Sequence, residues 1–120
     1  MIGAARVALA TDSTPPVSPS LALYVTPSTF NAETSNGGYT TPNITANASG
    51  GLEPYTYEWT SSTIRLSVLS PNSNITKVSA SGFNDYVDGV VTCTVTDDNG
   101  DTVSATCEIS ILFSNGGPAL

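Results

Sequence analysis

The chain has 120 residues, enough for one domain with its own core and too few for two. Ten acids against three bases give a net charge of -7, and the bases Arg6, Arg65 and Lys77 form no cluster, which excludes the basic face that nucleic-acid binding needs. Charged residues make up only 11%, which argues against charge-driven disorder, and no apolar run approaches the length of a transmembrane helix. The abundant Ser and Thr suit the solvent face of β-strands.

Residues 1–20 end in Asp12-Ser13-Thr14-Pro15-Pro16-Val17-Ser18-Pro19-Ser20, a proline-rich stretch that reads as an extended arm outside the domain. Residues 1–10 have the faint look of a leader, but Arg6 lies inside a short apolar run. No export signal is expected there, and Met1 reads as the start of an unprocessed product. Residues 21–25 form a first strand, and 27–38 read as turn-rich. A second strand is expected over 40–48, with Ile44, Ala46 and Ala48 on one face and Pro42 near its start.

After the turn at Gly50-Gly51, residues 55–60 place Tyr55, Tyr57 and Trp59 on one face of a strand, so Trp59 should pack into the core. Residues 64–68 alternate as a further strand. Residues 75–81 make a less regular one with Val78 and Ala80 inward, and 82–89 read as a loop carrying Asp85 and Asp88. The clearest signal comes last. Two alternating runs, 90–96 and 102–111, flank Asp97-Asp98-Asn99-Gly100-Asp101, which predicts a hairpin with Gly100 in the left-handed position. Residues 114–120 form a tail. No helical periodicity of useful length occurs.

The hairpin puts Cys93 and Cys107 on one face with Val91, Val95, Ile109 and Ile111. Cross-strand bridges within a sheet are geometrically demanding, so two buried thiols are expected in preference to a disulfide. A catalytic cysteine or serine needs a base, and the sequence contains no His. Its carboxylates fall in solvent-exposed turns where nothing would raise a pKa, so no enzyme is expected. Asp97-x-Asn99-x-Asp101 has the opening spacing of a calcium loop. The Gly due next is Thr102 and no Glu follows in place, so a plain turn is expected, with no metal and no cofactor. The sequons at Asn43, Asn47 and Asn74 read as chance in a chain rich in Asn, Ser and Thr.

Gly50-Gly51-x-x-Pro54-Tyr55-x-Tyr57-x-Trp59, followed by Val91-x-Cys93-x-Val95-x-Asp97-x-x-Gly100, resembles the immunoglobulin-like modules of the PKD type and the related modules of bacteriophage virion proteins. The resemblance covers residues 21–113. Thr60-Ser61-Ser62 stands where the PKD family usually has an Asp/Gly-rich turn. The resemblance implies an all-β, immunoglobulin-like β-sandwich of about seven strands, preceded by the extended N-terminal arm already read from the prolines. It also implies a structural or adhesive role.

The expected function is therefore a capsid decoration protein on the outer surface of a bacteriophage virion, made in the host cytoplasm and anchored through its arm. Its partner would be the major capsid protein or another virion structural protein, with self-association into a dimer or trimer as a further contact. Neither nucleic acid nor membrane is expected as a partner. The candidate partner-binding residues are Ile2, Arg6, Val7 and Leu9 on the arm and Tyr24, Tyr39 and Tyr86 on the sandwich. The alternatives are a tail, neck or fibre component, or a glycan-binding module using Tyr39, Tyr86 and Asp85.

Overall fold

The computed structural model describes residues 19–115, and all of their regular structure is β-strand. In chain order the strands are β1 (Ala22–Thr26), β2 (Thr29–Thr34), β3 (Gly38–Thr40), β4 (Ile44–Ser49) and β5 (Thr56–Ser61). They continue as β6 (Leu66–Val68), β7 (Ile75–Thr76), β8 (Val78–Ser81), β9 (Tyr86–Thr96) and β10 (Thr102–Phe113).

Four strands form one sheet in the order β2-β10-β9-β5, and two three-stranded sheets run β1-β4-β7 and β3-β8-β6. The two small sheets interrupt each other where Pro42 cannot donate to a ladder and where Lys77 separates β7 from β8. Thr41 bridges that break. Its N–H donates to Val78 O at 2.9 Å, and its hydroxyl accepts the Val78 N–H at 3.0 Å. Thr41 is buried, and these two bonds are what make a polar side chain tolerable there. The result is a β-sandwich-like arrangement with Ile44, Leu66, Val78, Val91, Ile111 and Phe113 buried in one cluster.

The hairpin of β9 and β10 pairs antiparallel from Tyr86↔Leu112 to Thr96↔Thr102. Its turn closes as the sequence predicts. Gly100 has φ 87° and donates to Asp97 O at 3.0 Å, while Asp97 N–H donates to Asp101 O at 2.9 Å. The strands extend further than their alternation indicates. Residues 86–89, expected in a loop, begin β9 and bury Val87, so Asp88 sits on a strand and the loop shrinks to 82–85.

Two further expectations need correction. The segment 27–38 is not simply turn: β2 lies within it and pairs parallel with the end of β10, Phe30 facing Ile109 and Thr34 facing Phe113. Thr and Asn on the solvent side of β2 disguise a strand whose Phe30 and Ala32 are only half-buried. The run 64–68 is a strand only over Leu66–Val68, and Ile64 is 98% exposed in the preceding turn. Of the expected arm, only Pro19 and Ser20 belong to the described residues. Pro19 O accepts the Gly51 N–H at 2.9 Å, which fixes where the preceding chain enters.

Candidate functional site

The described aromatic candidates do not converge. Tyr24 is 65% exposed on β1, which belongs to the β1-β4-β7 sheet. Tyr86 is 60% exposed at the start of β9, opposite Leu112 on the outer face of the four-stranded sheet. Tyr39 is half-buried on β3. Its ring stacks on Phe30 at 6.0 Å and packs against the core, so its main contacts are internal. Ile2, Arg6, Val7 and Leu9 lie outside the described residues.

Trp59 is buried, as its place in the Tyr55, Tyr57, Trp59 alternation requires. Its Nε1–H donates to Ser73 O at 2.7 Å, so burial leaves no unmet donor. It faces Cys93 across the β5-β9 ladder.

Both cysteines are buried free thiols. The register pairs Cys93 with Ala105 and Cys107 with Val91, so the two are offset by two residues along the ladder. Diagonal neighbours of that kind lie ~7–8 Å apart, beyond the usual span of a disulfide. Burial pushes both thiols up to about 11. A thiolate is correspondingly disfavoured, and with it nucleophilic reactivity.

The carboxylates also divide. Asp85 and Asp97 flank the 11-residue strand β9. At ~3.3 Å per residue they stand roughly 40 Å apart, so Asp85 and Asp88 do not join the 97–101 turn. Asp97 is buried with both carboxylate oxygens engaged. Oδ1 accepts the N–H groups of Asn99 at 3.0 Å and Asp101 at 2.9 Å, and Oδ2 accepts that of Leu52 at 3.1 Å. The arrangement is a turn cap made by a carboxylate. Among the described residues, no group of three acids, cysteines or histidines is arranged to hold a metal ion. Asp85 pairs instead with Arg65 at 3.1 Å, and Arg65 also donates to Ser81 O at 3.4 Å.

Surface grooves among the described residues include two of note. The larger, about 490 Å³, is lined by Ser61, Ser62, Thr63, Ile64, Leu66 and Ser67. The smaller, about 220 Å³, is lined by Asn43, Leu69, Ser70, Ile75, Thr76 and Lys77. Neither lining contains a carboxylate or a thiol, so neither brings an acid and a base together.

No protein-family model matches the chain, and no curated protein matches its sequence.

Sequence reasoning missed the exposed Ile64 and Phe83, carried on the loops that Arg65 and Asp85 clasp together. It also missed β2 itself, an edge strand among the described residues. Ile64 was hidden by an alternation that continues into β6. Nothing in the composition of 82–85 marks Phe83 as outward, since an isolated Phe reads as core.

Proposed function

We propose that the chain is a non-enzymatic, immunoglobulin-like structural module of a bacteriophage particle. In this reading it is a capsid decoration protein on the outer surface, anchored by residues 1–20 to a neighbouring subunit. The observation that carries the reading is the strand order. An N-terminal edge crosses from the β1-β4 layer to run parallel with the last strand, and the sole Trp lies on the strand beside β9. That wiring supports the immunoglobulin-like reading, alongside the Gly50 to Trp59 and Val91 to Gly100 motifs.

The surface chemistry supports a scaffold role. Asp97, Trp59 and Arg65 spend their polar groups within the fold, and the grooves are lined by hydroxyls, amides, aliphatic groups and one lysine. The net charge of -7 suits a shell exterior better than a DNA-filled interior. A module that binds only the assembled lattice shifts the equilibrium away from disassembly, and many copies make weak contacts sufficient.

Co-sedimentation tests this reading. The purified chain should pellet with empty shells of the major capsid protein from the same genome, and quantitative mass spectrometry should count hundreds of copies per virion. A handful of copies would move the module to the tail, neck or a fibre. Binding on a glycan array without shell binding would make it a sugar-recognition module.

A further inference from the structure

Three Asn-Gly pairs occur in the chain: Asn36-Gly37, Asn99-Gly100 and Asn115-Gly116. Such a pair is chemically labile. Glycine has no side chain to block the approach, so its backbone nitrogen can reach the amide carbon of the preceding asparagine. In a folded chain two further conditions apply. The side-chain amide must be able to turn toward that nitrogen, and the nitrogen must be able to give up its proton.

The fold treats the three asparagines differently. Asn99 is exposed, but the Gly100 N–H, the attacking group, donates to Asp97 O at 3.0 Å. The Asn99 N–H is also held, by Asp97 Oδ1 at 3.0 Å, so the turn is pinned on both sides of the reacting bond. Asn115 is restrained through its side chain. Its Nδ2 donates to Gly82 O at 3.1 Å and its Oδ1 accepts the Asn84 N–H at 2.8 Å, which fixes the amide at both ends. Asn36 and Gly37 lie in the exposed bend between β2 and β3. Only the Asn36 main-chain N–H is engaged, by Thr34 Oγ1 at 3.1 Å. Among the described residues, neither the Asn36 side-chain amide nor the Gly37 N–H has a hydrogen-bond partner.

We propose that Asn36-Gly37 is a self-modification site, the pair that deamidates while the chain stays folded. Gly37 N gives its proton to solvent and attacks Asn36 Cγ. The new C–N bond closes a cyclic imide as the Cγ–Nδ2 bond breaks, and the amide nitrogen leaves as ammonia. Water then opens either imide carbonyl. One opening yields aspartate, and the other yields isoaspartate, with the main chain rerouted through the side chain. Water is the sole co-reactant. The product acts on the neighbouring loop, because Gly37 O accepts the Gly82 N–H at 3.2 Å and so ties the bend to the 82–85 loop that carries Phe83. Isoaspartate lengthens the backbone by one carbon just ahead of Gly37, which strains that bond and loosens the loop.

Ageing the full-length chain at mildly alkaline pH, with peptide mapping by mass spectrometry over time, tests this. Electron-transfer fragmentation separates isoaspartate from aspartate. Asn36 should convert at close to its rate in urea. Asn99 and Asn115 should each convert at least about tenfold more slowly than in urea, the factor that one hydrogen bond of ordinary strength supplies. Gly37→Ala should suppress conversion by crowding the attacking nitrogen. The fold should accept that change, because an added Cβ meets Asn115 Nδ2 at an ordinary 3.5 Å. Chymotrypsin should cut after Phe83 faster in aged than in fresh wild type, and equally in aged and fresh Gly37→Ala. Conversion of Asn99 or Asn115 as fast as Asn36 in the folded chain overturns the proposal. So does an Asn36 that the fold slows about tenfold relative to urea, or a Gly37→Ala variant that converts as fast as wild type. Isoaspartate at position 36 with unchanged cleavage at Phe83 overturns the loosening of the loop.

Discussion

Leu52 and Asp97, 45 positions apart in the chain, are joined through a side chain and a main chain. The Leu52 N–H donates to Asp97 Oδ2 at 3.1 Å, and Leu52 O accepts the Asp98 N–H at 2.8 Å. This pair locks the loop after β4 onto the β9-β10 turn. Because Pro19 O is bonded to the adjacent Gly51, it also sets the point at which the N-terminal segment leaves the sandwich.

Asp97→Ala should therefore be far more damaging than loss of a surface acid. It leaves three backbone N–H groups without their acceptor, and bonds to a charged group contribute ~1.5–3 kcal/mol each before relaxation and water offset part of the loss. We expect a net loss of about 2–4 kcal/mol in urea unfolding, while Asp101→Ala should change stability by less than about 1 kcal/mol.

Two glycines with positive φ should respond differently to alanine. At Gly51, φ is 62° and an added Cβ would stand 2.5 Å from Asp97 Oδ2, so strain and a displaced cap combine. At Gly100, φ is 87° and nothing lies within 4 Å of the added atom. Gly100→Ala should cost the backbone strain of about 1 kcal/mol, and Gly51→Ala at least ~1 kcal/mol more. Denaturant midpoints of the two variants decide this.

The sole tryptophan reports on the core. Trp59 is buried with its Nε1–H on Ser73 O, so folded protein should emit at short wavelength and resist iodide quenching. Trp59→Phe removes that bond and part of a large ring, leaving Ser73 O without its donor. It should destabilise the fold by about 2–3 kcal/mol, measured by circular dichroism because the fluorophore is gone.

The thiols predict an alkaline limit. Burial raises Cys93 and Cys107 from near 9 to about 11, and it also raises Tyr57, with the neighbouring Cys93, Tyr55 and Glu53 charges adding to the effect. Between pH 9 and 11 the unfolded chain has released thiol protons that the folded chain still holds. Stability from these groups is complete below about pH 9 and falls as pH rises toward 11. Cys93→Ala/Cys107→Ala should flatten that decline. In the wild type, both thiols should react with a thiol reagent at neutral pH only after unfolding.

The sequence by itself determined the β class, the hairpin and its Gly100 turn, and the burial of Trp59 and the two cysteines. These follow from short-range chemistry: a period-two alternation selects a face, and a turn residue must adopt the φ its turn demands. Only the tertiary structure decided the role of Asp97, because its third donor comes from Leu52, which no local pattern links to it. The same is true of β2, a strand made by parallel pairing with residues almost 80 positions later, where Thr and Asn blur the alternation. The closure of the β5 edge by the 70–73 loop was likewise invisible in one dimension. It depends on which distant carbonyl and amide reach that edge, and these are Pro71 O and Asn72 Nδ2. Hydrophobic pattern fixes which side of a strand faces inward, but contacts between segments far apart in the chain fix what stands beside it.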